Sequence, residues 1–179
     1  MKGRRNMPKE TKTAHLSNYS NLQLTALVIL RMMIGWHLLY EGITKLINPY
    51  WSSAGYLMES KWIFSGLFQS IVANPTALKV VDFLNEWGLI AIGLGLIAGF
   101  LTQIATIAGI VLLLLYYLAN PPFVGLTYSM PTEGSYLIIN KTLIEAAALF
   151  VLALFPTGRK IGLDVFFKKV ISDKSTKVN

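Results

Sequence analysis

Between residues 22 and 46 the chain is apolar for long enough to cross a lipid bilayer, yet Arg31, His37, Glu41 and Lys45 interrupt the run. A span takes about 20 apolar residues, and an ionisable side chain at its centre costs about 2.5–3.5 kcal/mol on insertion scales. Four such residues in one span require partners. At about 100° per residue on a helix they fall within roughly a third of the circumference, leaving a broad Leu, Ile, Val and Met face for lipid. His37, Glu41 and Lys45 follow one another at i, i+4 and i+8, which makes one polar stripe that the remaining spans are expected to cover.

Three more apolar segments follow, over residues 83–100, 104–118 and 135–155. Asn48-Pro49 ends the first span. Residues 49–74 hold Tyr50, Trp51, Tyr56, Trp62, Phe64 and Phe68, too broken by Gly, Ser and charge to span and too apolar to float in water. Aromatic side chains of this kind settle at the headgroup level, which predicts one or two short helices across the outer mouth of the bundle.

Asn74-Pro75 is a helix start, with Asn as cap and Pro at the first helical position, so the second span begins there or near Phe83. Its outer end carries Asp82, Asn85, Glu86 and Trp87. Ala91, Gly95 and Gly99, at four-residue spacing, predict close approach of a neighbouring helix. A very short turn at residues 101–103 sets the third span antiparallel beside the second; it has no charged residue and reads as a structural wall.

Asn120-Pro121-Pro122 breaks the third span, and a loop with Tyr128, Pro131 and Glu133 leads to the fourth. That span carries Asn140, Lys141 and Glu145, the last two at pairable i, i+4 spacing. After Pro156-Thr157-Gly158, Leu163, Phe166, Phe167, Val170 and Ile171 recur at helical spacing beside Lys168 and Lys169, which reads as an interfacial helix. The expected fold is all-α, a polytopic membrane four-helix bundle with short interfacial helices. One membrane domain (residues 22–156) lies between a basic tail (1–21) and an amphipathic end (157–179), without a convincing internal repeat.

Composition agrees with the pattern. A 54% hydrophobic chain of 179 residues with mean hydropathy +0.53 is too apolar for a soluble domain. With no Cys there is no disulfide, thiolate metal site, iron–sulfur cluster or thiol redox chemistry. Electron traffic would need a bound organic cofactor, a substrate pair or another subunit.

A net charge of +7 is compatible with a nucleic-acid partner, but its distribution argues against one. Of 16 Lys and Arg, five precede the first span (Lys2, Arg4, Arg5, Lys9, Lys12) and six follow the last (Arg159, Lys160, Lys168, Lys169, Lys174, Lys177). This is the positive-inside pattern of a cell (inner) membrane protein with both termini cytoplasmic. A polar stretch at residues 14–21 and a long run interrupted by Arg31 argue for an uncleaved first span rather than a removed signal.

On this topology His37, Glu41 and Lys45, Asn85 and Glu86, and Asn140, Lys141 and Glu145 all fall in the outer half of the bilayer. With Arg31, three cations (Arg31, Lys45, Lys141) face three carboxylates (Glu41, Glu86, Glu145), a nearly neutral cluster when His37 is uncharged. These residues could serve only to fix helix register. Buried ion pairs add little stability over apolar packing, however, and intramembrane ionisable groups default to function. His37 has only His15 as a second imidazole, so neither a metal site nor a bis-histidine haem site is expected. Cations near an outward mouth suit an anionic solute, while Glu and His near hydrocarbon suit proton delivery to a reducible ring. A lateral opening lined by Trp87, Tyr40 or Tyr136 would admit a quinone. A channel, an ion-coupled carrier and a lipid-binding site remain alternatives at this stage.

The run Arg31-Met-Met-Ile-Gly35-Trp-His37-Leu-Leu-Tyr40-Glu41-Gly42-Ile-Thr-Lys45-Leu46 resembles the first helix of the DoxX-like membrane proteins, with their Arg, then Gly, then Gly-x-x-Lys-Leu. The Gly-rich second span with its tight Thr-containing turn, and Gly158-Arg-Lys-Ile-Gly-Leu-Asp164, are similar to the same family. With Asn48-Pro-Tyr-Trp-Ser-Ser53, Glu133-Gly-Ser-Tyr136 and Asn140-Lys141, the chain resembles most the DoxD branch, described as a subunit of thiosulfate:quinone oxidoreductase.

The resemblance implies a four-helix membrane bundle, oxidation of thiosulfate to tetrathionate with electrons passed to quinone, and a DoxA-like partner subunit. It brings no catalytic residues with it. From the residues themselves, Arg31, Lys45 and Lys141, with Asn140 and Glu86, are expected to hold an anionic substrate or quinone oxygens. His37, Glu41 and Glu145 are expected to manage protons. A non-catalytic scaffold that docks oxidoreductase partners through its aromatic loops and basic end is the rival from another class, ahead of a small-solute carrier.

Overall fold

The computed structural model describes residues 19–129 and 137–165, and among them every regular element is helical. The basic tail with His15, residues 130–136 with Glu133 and Tyr136, and the amphipathic stretch from Phe166 onward lie outside the described residues. Helix α1 (Asn21–Ile47) starts at a capping box in which the Ser20 hydroxyl accepts from the Gln23 amide and the Gln23 side chain accepts from the Ser20 amide. At 1.5 Å per residue it is about 40 Å long. Its buried residues Arg31, Ile34, Gly35, Leu38 and Gly42 form one seam, and that seam lies along α4 (Pro75–Ala98).

Asn74 caps α4 as expected, its side chain accepting from the amides of Thr76 and Ala77 with Pro75 in the first position. The helix therefore takes the earlier of the two starts considered. Of the expected small-residue row, Gly95 admits Ala105 of the next helix, 3.1 Å from where its own Cβ would stand, and Gly99 admits Gly162, while the approach of α1 uses Gly93. Ala91 is exposed, whereas a Cβ on Gly93 would lie 2.6 Å from the Leu39 amide nitrogen and 2.7 Å from the Gly35 carbonyl oxygen. Gly35 and Gly42 meet α4 in the same way, so the contact repeats along α1 at seven residues.

Helices α1, α4 and α5 (Thr102–Ala119) are each long and apolar enough to cross a membrane. The fourth expected span is shorter. Helix α6 (Lys141–Leu154) packs against α5 and α1, but its 14 residues rise about 21 Å against a hydrocarbon core of about 30 Å. Its start is set by Asn140, whose side chain accepts from the Leu143 amide at 3.0 Å. The core runs between these helices through Leu38, Leu89, Ile92, Leu96, Leu113, Leu149 and Leu152.

Two devices close the ends. At the α4–α5 turn, Gly99 (φ 64°) and Leu101 (φ 46°) leave the first amides of α5 without a local cap. Asp164 supplies it from far along the chain: Oδ1 accepts from the Leu101 amide (2.7 Å), and Oδ2 from the Thr102 amide (3.1 Å) and hydroxyl (2.7 Å). A carboxylate at a helix N-terminus also complements the helix dipole. The stretch after α6, including a 3₁₀ turn over Thr157–Arg159, is drawn over the turn by Leu163 and Asp164 amides donating to the Ala98 and Gly99 carbonyls. Leu163 thus belongs to a tight clasp, and Asp164 and Val165 directly after it are helical.

At the other end the two short helices expected in the aromatic stretch are present, α2 (Ala54–Met58) and α3 (Ser65–Ala73). With Leu57, Phe68 and Ala119 buried at its centre, this end has its own small core. The Tyr56 hydroxyl donates to the Tyr116 carbonyl at 2.8 Å, and burial pushes the phenol up to about 12.

Candidate functional site

Asp82 on α4 fixes the loop that follows α1. One carboxylate oxygen accepts from the Ser52 hydroxyl at 2.8 Å, and the other from the Ser53 amide at 2.9 Å and the Ser53 hydroxyl. That anchorage sets Trp51 over the end of Lys45, its ring centre 5.3 Å from Nζ. The Tyr116 ring of α5 lies at the same 5.3 Å, so the ammonium sits between two aromatic faces.

Lys45 Nζ donates to Asn85 Oδ1 at 3.2 Å and to Tyr116 Oη at 3.4 Å, while Glu41 Oε2 lies 3.8 Å away. The last distance is that of a loose ion pair, beyond hydrogen-bond range. Lys45 has 16% of its side chain exposed and Glu41 has 47%, so the cation is sheltered and the carboxylate is at the edge. Three helices and the loop thus converge on one ammonium group.

About two turns back along α1 from Lys45, the His37 Nδ1–H donates to Glu145 Oε1 at 2.8 Å across to α6. The Glu145 side chain is only 14% exposed, whereas that of His37 is 47% exposed, turning part of the imidazole outward. Glu41 lies within electrostatic reach of both His37 and Lys45, Glu86 of Lys45, and Lys141 of His37. The structure therefore brings together His37, Glu41, Lys45, Glu86, Lys141 and Glu145.

Two expected residues have other positions. Arg31, 2% exposed, donates through one guanidinium nitrogen to Thr157 Oγ1 (3.2 Å) and to the Ile161 carbonyl (3.0 Å). It belongs to the clasp at the α4–α5 turn, where Asp164 is its counter-charge, and not to the Lys45 cluster. The reason is direction along the helix: Arg31 and Lys45 are 14 residues apart, about 21 Å. Asn140 carries its oxygen on the α6 cap instead of offering it to a ligand.

Tyr116 is the functional side chain that the hydropathy pattern hid. It sits in a helix that reads as a wall, and a phenol in an apolar run gives no periodic signal until a cation is seen against it. Tyr40 and Trp87, expected beside a lateral opening, are both well exposed. Among the described residues no group of three His, Asp or Glu is placed to hold a metal ion. What the site offers is a sheltered cation with aromatic walls and, about 12 Å along the same helix, an imidazole–carboxylate pair. No family model, curated protein or solved structure matches the chain.

Proposed function

We propose that the chain is the membrane subunit of a DoxX/DoxD-like oxidoreductase that passes electrons from thiosulfate, or a similar small anion, to quinone. The observation that carries the proposal is Lys45 held between Asn85, Tyr116 and Trp51, with Glu41 linking it to the His37–Glu145 pair. In this reading α6 completes the bundle as a fourth, short crossing. Both basic ends are cytoplasmic, and the Lys45 cluster lies in the outer half of a cell membrane.

Lys45 holds the anion by charge, and Trp51 limits its size. His37 fits a quinone headgroup: it is half exposed on α1, with Trp36 one residue before it and Tyr40 three after it both open to the surroundings. The bound quinone would take the electron pair released as two thiosulfate ions join through a new sulfur–sulfur bond, and two protons complete the quinol. With His37 Nδ1 engaged by Glu145, Nε2 is the atom from which the imidazole delivers a proton outward, and Glu145 steadies the ring as its charge changes. A DoxA-like partner would dock on the loop end, where Tyr50 and Ile63 stand exposed.

The test is thiosulfate-dependent quinone reduction by the full chain in quinone-containing liposomes, with and without co-expressed neighbouring subunits. Lys45→Ala is expected to lower kcat/KM about 10- to 100-fold, the worth of a charge-assisted hydrogen bond, and Glu41→Gln to lower kcat. No turnover in any combination would sink the reading. A partner that co-purifies, with a phenotype indifferent to Glu41→Gln, would put the scaffold in its place.

A further inference from the structure

Glu41 occupies an unusual place on α1. His37 lies four residues before it and Lys45 four after it, and a helix puts both neighbours on its own face, one turn above and one below. Its carboxylate stands 3.8 Å from the ammonium, too far to hydrogen-bond. The other two donors of Lys45 are committed to Asn85 and Tyr116, so the third direction is the one Glu41 loosely fills. Half exposed and flexible, Glu41 can leave it.

We propose that Glu41 is a placeholder on the Lys45 anion site: an incoming oxyanion takes the position of its carboxylate, and Glu41 turns to His37, whose Nε2 takes up a proton to receive it. The inference rests on the reading of Lys45 as an anion site and adds the coupling between anion capture and protonation. No bond to carbon or sulfur changes in this step. One proton from solvent reaches Nε2, and the ion pair Lys45–Glu41 is exchanged for Lys45–anion and His37–Glu41.

The charged and titratable groups facing this stripe are Glu86 on α4, Tyr116 on α5, and Lys141 and Glu145 on α6. Glu145 already holds Nδ1, which leaves Nε2 as the proton-accepting atom. Anion binding should accordingly weaken as pH rises, because the proton that His37 must gain becomes scarcer.

The experiment titrates the full-length protein in detergent with sodium thiosulfate, without quinone, following the summed tryptophan fluorescence, to which Trp51 contributes, and, independently, heat. Wild type should bind saturably, with affinity falling as pH rises. Lys45→Ala should weaken binding at least tenfold. Glu41→Gln should bind about two- to fivefold more tightly, the worth of one loose ion pair, and lose the pH dependence. In turnover the same substitution should lower KM together with kcat. Weaker or unchanged binding in Glu41→Gln, a retained pH dependence, or binding indifferent to Lys45 overturns the inference. Proton-linked binding without any turnover would leave it standing while removing the redox reading, so the two fail separately.

Discussion

On α1 each polar side chain is met by a different element: His37 by Glu145 of α6, Lys45 by Asn85 of α4 and Tyr116 of α5, and Arg31 by the Thr157 hydroxyl and the Ile161 carbonyl. The stripe of His37, Glu41 and Lys45 is visible as spacing alone, because residues four apart on a helix must share a face. Arg31 belongs to the same stripe in projection, yet its partners Thr157 and Ile161 lie 126 and 130 residues away, and no local pattern announces them. Asn140 looks equally available until the start of α6 consumes its oxygen. Asp164 illustrates the converse: it is marked in sequence as the end of a motif, but nothing local shows that it caps α5 through three hydrogen bonds. Asp164→Ala is expected to cost about 1.5–3 kcal/mol, seen as a lower denaturation midpoint in micelles, since charged acceptors at helix ends are worth that much. Asp164→Asn should recover part of the loss.

At the level of the helix, hydropathy located α1 and α5 to within a few residues; for α4 the apolar run began only at residue 83, and Asn74-Pro75 marked the true start. The phase of the close contact was harder. Ala91, Gly95 and Gly99 share a four-residue rhythm, of which Gly95 meets Ala105 of α5, but the seam between α1 and α4 repeats every seven residues, with Gly35 against Gly93 and Gly42 against Ile90 and Glu86. Gly93→Ala should therefore force the backbones apart and destabilise the protein by about 1–3 kcal/mol. Gly88→Ala, on the same helix with nothing within 4 Å of the added carbon, should be neutral or stabilising. Thermal unfolding of the pair in one detergent checks both.

Across the whole molecule, the two ends are built differently. The loop end rests on a small aromatic core with the Tyr56 phenol inside it, donating to a main-chain carbonyl. Its ionisation is raised from 10 to about 12 on folding, so the stabilisation is complete below pH 10 and is lost as pH climbs toward 12. Up to about 2–3 kcal/mol should disappear over that window in denaturation measured by helix content. Tyr56→Phe should remove this dependence, leaving only what other groups contribute. Which residues converge on Lys45 was partly legible, since depth along each apolar run predicts it. The contribution of Trp51 was not, because it depends on Asp82 reaching back to hold Ser52 and Ser53.

The opposite end bears on biogenesis. Arg31 enters the bilayer with α1, while the hydroxyl and carbonyl that accept its hydrogen bonds are made more than a hundred residues later. Until then the nascent helix must keep its guanidinium near lipid phosphates or within the insertion machinery. A stitch made late in translation is what lets α1 settle, and chains cut short before Thr157 should be recognised as unfinished and degraded.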